Sequence, residues 1–483
     1  MIMLVGRKTE IKRLEKVYQS KEAEFVVLYG RRRIGKTFLI RQFFEKKPGI
    51  FFQVTGSQEG SLQQQLSHFS VSLSETFTHG VMIAAPRSWD AAFKALTQFI
   101  EADKSENKIT LFLDELPWLA TPRGGLLATL DYYWNHYWAR NPKIILIVCG
   151  SSASWLIKNI IYNRGGLHNR CTAEIKLNPF NLSEAQDFLI SRGITLKASH
   201  ILDIYMALGG VPYYLSYVDT GLTAAENIQK ILCDPLAPLK DEFAKLFASL
   251  FTNASTYIEL IKLIASKREG LSRVDLERLT QLSPGGGRLS EQLKQLEQTN
   301  FILSYIPWGK DRGEYYKVTD EFCLFWLNWL EGSKIKERLS NFWIQQTQKP
   351  SYHAWAGYAF EAVCQKHIEQ IVKALNIQSA EKVSTWRARP NVLESLAGAQ
   401  IDLLIDRNDD AVTLCEIKYT EAPFVMTREY AEALKRKQDI FKAISKTKKE
   451  VFMALISANG ATENQYFHEV ITGLVTLEGL FQK

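Results

Sequence analysis

Three groups of residues in this chain have the types and spacing to do chemistry. The first is Gly30-Arg31-Arg32-Arg33-Ile34-Gly35-Lys36-Thr37, with G-x-x-x-x-G-K-T spacing. Such a loop lets backbone N–H groups converge on phosphate oxygens while Lys36 reaches the β- and γ-phosphates and the Thr37 hydroxyl ligates Mg²⁺. All eight residues are therefore expected to bind ATP, with Mg²⁺ as the second cofactor. The second group is Asp114-Glu115, at the end of the apolar run 109–113. One carboxylate there suits the metal and the next suits water activation, so Asp114 is the expected ligand and Glu115 the expected base. Ser151, closing the run 143–150, would point at the γ-phosphate or the attacking water, although Ser151 or Ser152 could equally cap the helix starting near Ala153. Arg170 is the candidate arginine finger, acting in its own subunit or in a neighbouring copy, which makes a homo-oligomer one of the expected partners. The competing reading of Arg170 is a surface arginine paired with an acid.

The third group is Asp402, Glu416 and Lys418, spaced D-x13-E-x-K, with Glu361 upstream. Asp402 begins one strand of a hairpin, and Glu416 and Lys418 share a face of the next because side chains alternate along a strand. The fitting chemistry is phosphodiester hydrolysis. Asp402 and Glu416 would hold Mg²⁺, Glu361 would complete the metal shell, and Lys418 would position water or stabilise developing charge. Downstream, 428–443 reads as a basic helix suited to a phosphate backbone.

Positioning these groups requires particular elements. Ile11, Leu14 and Val17 mark an amphipathic helix over 9–18, expected beside the nucleotide base, and a strand at 26–29 feeds the glycine loop and a helix from Thr37. Further strands at 49–54, 109–113, 143–150 and 173–177 alternate with helical stretches, which predicts a parallel α/β sheet. After 238 the alternation stops. Tyr257, Leu260, Ile261 and Ile264 form one apolar stripe, and Val274, Leu276 and Leu279 a second. A third helix over 288–298 buries Leu289, Leu293 and Leu296 and leaves Arg288, Gln292, Lys294 and Gln295 outward. With the joint Ser283-Pro284-Gly285-Gly286-Gly287 before it and a hairpin 301–308/314–318 after it, tipped by Gly309-Lys310-Asp311-Arg312-Gly313, the pattern describes a winged helix. Such a module places its third helix in a DNA major groove with Lys310 and Arg312 on phosphates, or docks a protein. The aromatic stretch 319–330 reads as a core helix. A polar hinge at 332–338 precedes a helix over 355–371.

At 483 residues the soft expectation is about three domains, and 46% hydrophobic with 23% charged residues is ordinary globular composition. A net charge of +7 permits a polyanionic partner without demanding one. Six cysteines with no C-x-x-C pair suit buried thiols of a reducing compartment. No apolar run approaches ~18 residues and no signal region forms at the N-terminus, so a cytoplasmic protein with no membrane partner is expected.

The set Val5-Gly6-Arg7, Glu10, Leu14, the glycine loop, Leu113-Asp114-Glu115, Gly150-Ser151-Ser152, Leu167-x-x-Arg170 and Gly209-Gly210-Val211-Pro212 resembles the archaeal-type ATPase family of the AAA+/STAND group. The resemblance implies an α/β P-loop ATPase core at 1–178, a helical lid at 179–235 containing Gly209 to Pro212, and a winged-helix domain at 236–332. The D-x13-E-x-K set resembles the PD-(D/E)xK restriction-endonuclease-like fold, which that family often carries at its C-terminus, here at 345–483. Ile401 stands where that motif has proline, a departure that bears on catalysis more than on fold. The whole then reads as an ATP-driven switch coupled to double-stranded DNA and to Mg²⁺-dependent cleavage. The alternative is a non-nucleolytic regulator that docks protein partners.

Overall fold

The computed structural model describes residues 4–163, 165–280, 287–310, 312–332, 341–388 and 398–483. The joint at Ser283 to Gly286, Asp311 of the hairpin tip and the hinge at Ser333 to Arg338 lie outside the described residues. The chain divides into two compact units, Met1–Asn178 and Pro179–Lys483.

In the N-terminal unit, β1 (Glu24–Tyr29), β2 (Gly49–Thr55), β3 (Lys108–Asp114), β4 (Ile144–Gly150) and β5 (Ala173–Lys176) form one parallel sheet in the order β2-β3-β4-β1-β5. All seven residues of β4 are buried, as an uninterrupted apolar strand must be when helices cover both faces. The two faces follow the strand period. Val26 and Leu28 pack with Leu14 and Val17 of α1 (Lys8–Gln19) and with Leu39, Ile40 and Phe43 of α2 (Lys36–Phe44). Phe25 and Val27 pack with Phe69 and Leu73 of α3 (Leu62–Phe77) and with Trp89 and Phe93 of α4 (Trp89–Ala102).

The C-terminal unit opens with helices, among them Leu182–Ser191 and Ala198–Leu208, the second ending at Gly209 with φ 65°. Helices Ala254–Ala265, Arg273–Leu279 and Gly287–Gln298 then accompany β6 (Leu271–Ser272), β7 (Ile302–Tyr305) and β8 (Tyr315–Val318), which form an antiparallel sheet ordered β6-β8-β7. Beyond helices Pro350–Lys366 and Ile368–Ala374 comes a mixed sheet ordered β15-β13-β11-β10-β9. Its strands are β9 (Ala380–Ala388), β10 (Ala399–Arg407), β11 (Ala411–Lys418), β13 (Glu450–Ser457) and β15 (Gly473–Thr476); β12 (Phe424–Val425) and β14 (Ala461–Thr462) pair separately. No helix among the described residues is long and apolar enough to cross a membrane.

Three local expectations change. Val274 and Leu279 are exposed and only Leu276 of that stripe is buried, because the helix has seven residues and one turn of it meets the core. Gln292 is buried beside Leu293, and Gln295 accepts a hydrogen bond from the Tyr257 hydroxyl. The helix expected over 355–371 begins at Pro350 and breaks at His367, whose ring replaces helical continuity with two bonds. Its Nδ1 donates to the Val363 carbonyl at 2.7 Å and its Nε2 accepts from the Leu182 N–H at 2.9 Å.

This arrangement needs a neutral ring. Burial, opposed by the Val363 bond, lowers the His367 pKa from 6.5 to about 4. Between those values the unfolded chain binds a proton that the folded chain refuses, so stability falls as pH falls. Lowering the pH from 7.5 to 5 should remove about 2 kcal/mol through this residue. Urea unfolding of wild type and His367→Gln at both pH values checks it: the variant should lose that share of the pH dependence, and identical pH dependence would refute the assignment.

Candidate functional site

The glycine loop connects β1 to α2 through left-handed backbone. Gly30 has φ 155° and Gly35 φ 89°, with Arg33 at φ 71° between them. A Cβ on Gly30 would run into the Leu177 carbonyl and Ile34, so only glycine fits where the loop leaves the strand. Lys36 is buried, and its ammonium donates to the carbonyls of Gly30 at 2.9 Å and Arg31 at 3.0 Å. Arg31 is fully buried, while the Arg32 guanidinium lies 5.8 Å from the Trp118 ring centroid. Arg7 braces the loop from below. Itself left-handed at φ 59° and 3% exposed, it donates to the Asn178 carbonyl at 2.6 Å and the Ile34 carbonyl at 3.1 Å, with Glu10 at 3.9 Å.

The end of β3 faces this loop. Asp114 Oδ2 accepts from the Thr37 hydroxyl at 2.8 Å and the Thr55 hydroxyl at 3.4 Å, and its Oδ1 accepts from the Glu115 N–H at 3.1 Å. Glu115 takes left-handed backbone, φ 47° and ψ 51°, a conformation costing roughly 1–2 kcal/mol for a residue with a Cβ. That turn aims its carboxylate at the tip of β4, where Oε2 accepts from the Ser151 N–H at 3.0 Å and the Ser151 hydroxyl at 3.1 Å. Ser151 thus acts on Glu115 rather than as a helix cap, and Ser152, which occupies the cap position, makes no side-chain capping bond. Thr37 and the Asp114 carboxylate are hard oxygen donors side by side, a set whose chemistry fits Mg²⁺. Arg170 is not gathered with them: it is exposed, and its guanidinium donates through Nε to the Gly166 carbonyl at 3.4 Å.

In the other unit, Asp402 on β10 and Glu416 and Lys418 on β11 come together across the antiparallel pair Leu403↔Cys415. Glu416 is 4% exposed with both oxygens occupied. Oε1 accepts from the Tyr430 hydroxyl at 2.5 Å and lies 3.0 Å from Lys418 Nζ, and Oε2 accepts from Lys437 at 2.7 Å. Burial raises its pKa, but Lys437, Lys418 and Tyr430 outweigh that and leave it below the usual 4.5. Among the described residues Asp402 has no cation in contact, and the Lys437 charge only partly offsets what burial does to it. Burial, then the Glu361 and Glu416 charges, push it up to about 7, and its nearest donors are Ile417 N–H and Gln400, each at 3.5 Å. Glu361 is paired instead with a cation of the protein, Lys317 of β8, whose Nζ lies 3.6 Å from its Oε2. Among the described residues no three Asp, Glu, His or Cys side chains gather to hold a metal, so the set expected as Glu361, Asp402 and Glu416 does not fit one as arranged.

Sequence reading missed Arg7 as a brace, and Tyr430, Lys437 and Lys317 as partners of the C-terminal acids. Tyr430 and Lys437 are seven residues apart on helix Arg428–Ser445 with buried Leu434 between them, so helical spacing carried the signal that both face β11. For Arg7, replacement by alanine leaves two carbonyls without their donor. Arg7→Ala should cost about 1–3 kcal/mol of stability and loosen ATP binding by roughly tenfold. Thermal melting and nucleotide titration test this, and wild-type ATP affinity in the folded variant would disprove the brace.

Residues 4–218 match the family model described as an ATPase domain predominantly from Archaea, and residues 330–435 match a model for archaeal and bacterial proteins of unknown function. The chain is 25% identical over 427 residues, 87% of its length and 88% of the relative's, to an uncharacterized protein of Methanocaldococcus jannaschii. Over 47 residues, 10% of this chain and 80% of the relative, it is 47% identical to an uncharacterized ATP-binding protein of the same archaeon. Among solved structures it is similar to a Walker-type ATPase of Pyrococcus abyssi, at 21% identity and TM-score 0.48, covering 66% of this chain and 95% of that one. The first of these matches takes in Arg7, the glycine loop, Asp114, Glu115, Ser151 and Arg170, so its span holds every residue of the site at the end of β1, β3 and β4.

Proposed function

We propose that the protein is an ATP-hydrolysing switch whose second half holds double-stranded DNA. The observation that carries the hydrolytic half is the pair of adjacent carboxylates at the β3 tip, Asp114 bonded to Thr37 and Glu115 bonded to Ser151. Thr37 and Asp114 would hold Mg²⁺, which supplies charge neutralisation at the phosphates when bound. Lys36 exchanges the Gly30 and Arg31 carbonyls for phosphate oxygens, and the backbone N–H groups of the loop hold the rest of the phosphate chain. Glu115 takes the proton of the attacking water, oriented through Oε2 by the two Ser151 donors. Arg170, exposed, is free to reach the γ-phosphate of a neighbouring copy, which gives a homo-oligomer its role. Lys36→Ala should abolish phosphate release. Glu115→Gln should bind ATP normally yet hydrolyse it at least ~100-fold more slowly. Unchanged turnover in both variants would overturn the reading.

For the second half we propose a helical lid at 179–235, a winged-helix domain at 236–332 and a restriction-endonuclease-like domain at 345–483. The order of three helices with β6, β7 and β8 supports the second. Arg288 and Lys294 of its third helix, together with Lys310 and Arg312 of the hairpin, are exposed to meet phosphates. Exposed Arg436, Lys442 and Lys446 extend the basic surface on the C-terminal domain. Cleavage would fall to Asp402, Glu416 and Lys418. The reading as a non-nucleolytic regulator draws on one observation, the lysine pairing of Glu361 and Glu416. Lys310→Glu with Arg312→Glu should weaken duplex binding at least tenfold and flatten its salt dependence. Nicking of plasmid with Mn²⁺ or Mg²⁺ and ATP, lost in Glu416→Ala, supports cleavage. Equal nicking by that variant, or none by wild type, favours the regulator.

A further inference from the structure

The acids of the C-terminal cluster are matched with lysines from three different elements. Lys418 comes from β11 itself and Lys437 from helix Arg428–Ser445, and both side chains are about a third exposed, at 30% and 29%. Lys317 is different. It stands on β8, the central strand of the three-stranded sheet, opposite Leu303, and is 4% exposed. Its ammonium lies 3.6 Å from Glu361 Oε2 and 5.4 Å from the Tyr358 ring centroid. A lysine so buried needs an anionic partner, since an isolated ammonium is expelled from low dielectric.

We infer that Lys317 is a latch. Delivered by the three-stranded sheet, it takes the place at Glu361 that a divalent cation requires, and it keeps the Glu361, Asp402 and Glu416 cluster free of metal. The inference rests on reading 345–483 as a restriction-endonuclease-like domain, and it turns the lysine pairing from an objection into a device. A hard divalent cation needs several of these oxygens at once, and as arranged no three of the acids are gathered for one. Lys418 and Lys437 can swing into solvent on their own. Lys317 is tied to a paired strand, so freeing Glu361 means shifting β8 away from helix Pro350–Lys366. The latch therefore reports the position of a whole module and not of a single side chain.

Mn²⁺ binding to the full-length, nucleotide-free chain, followed by paramagnetic resonance, tests this without any catalytic readout. Wild type should bind no Mn²⁺ that Asp402→Asn removes. Lys317→Met should gain one Mn²⁺ per chain, lost when Asp402→Asn is added. Melting gives a second readout: Lys317→Met should melt below wild type and Lys317→Met/Glu361→Gln should recover, because the half-buried carboxylate is no longer unpaired. Asp402-dependent Mn²⁺ binding by wild type overturns the latch and leaves the metal-site reading standing. A folded Lys317→Met that gains no Mn²⁺ overturns both. If Lys317→Met fails to fold, the wild-type titration and the melting of the double variant decide.

Discussion

The ATPase site depends on one topological constraint: β4 is inserted between β1 and β3. All three strands are parallel, so their carboxyl ends emerge on one edge of the sheet, and the insertion lines up the Gly30 loop, Ser151 and the Asp114-Glu115 pair in that order. Adjacent strands lie about 4.8 Å apart, so the Asp114 backbone is roughly 10 Å from the end of β1. That gap is wide enough for phosphates, and the first turn of α2 spans it to bring the Thr37 hydroxyl onto Asp114. Complete burial of β4 protects the register. A slip of one residue would exchange the side chains packed on its two covered faces and carry Ser151 away from Glu115.

Backbone strain gathers around the same edge. Arg7, Arg33 and Glu115 are all left-handed without being glycine. Each conformation is unfavourable by itself and survives because the surroundings over-determine it. Arg7 is pinned by two carbonyls that sit 27 and 171 positions away in the chain. Glu115 is pinned by the β4 tip. The effect is a carboxylate and a loop set before any ligand arrives, which is what electrostatic preorganisation requires.

How much of this could be read from residues alone follows the range of the interactions. The glycine loop was legible because its chemistry is contained in eight consecutive residues. Asp114-Glu115 was legible because an apolar strand that stops on two acids is a local signal. That Ser151 orients Glu115, rather than capping a helix, was not, since it depends on strand order. Arg7 was visible as part of a resemblance, but its bond to Asn178 joins opposite ends of the unit and leaves no trace in spacing. Periodicity failed at Val274, Leu279 and Gln292 for the converse reason: short helices bury what their neighbours touch, and a helical wheel does not contain the neighbours. Lys317 alternates with Tyr316 and Val318 as a solvent-facing strand lysine would, yet all three are buried, because the second face of β8 is covered by a helix more than thirty residues downstream.

Two glutamates show how environment divides one side-chain type between two jobs. Glu115 is held through a single oxygen by neutral donors, the Ser151 N–H and hydroxyl, an arrangement that suits the base role proposed for it. Glu416 is held through both oxygens by two ammonium groups and a phenol, which fix its negative charge and leave it a poor proton acceptor. Asp402, buried beside it without a cation of its own, is the member of that cluster whose charge is least secured. The acid cluster therefore has an unequal distribution of counter-charge: Glu416 is satisfied twice, Glu361 once and Asp402 not at all by direct contact. Any added positive charge entering the cluster gains most at Asp402, and it gains more once Glu361 no longer has Lys317. The charge balance of the C-terminal cluster thus depends on Lys317 of β8, whereas the glycine-loop site depends on the order of three strands and on the Arg7 brace.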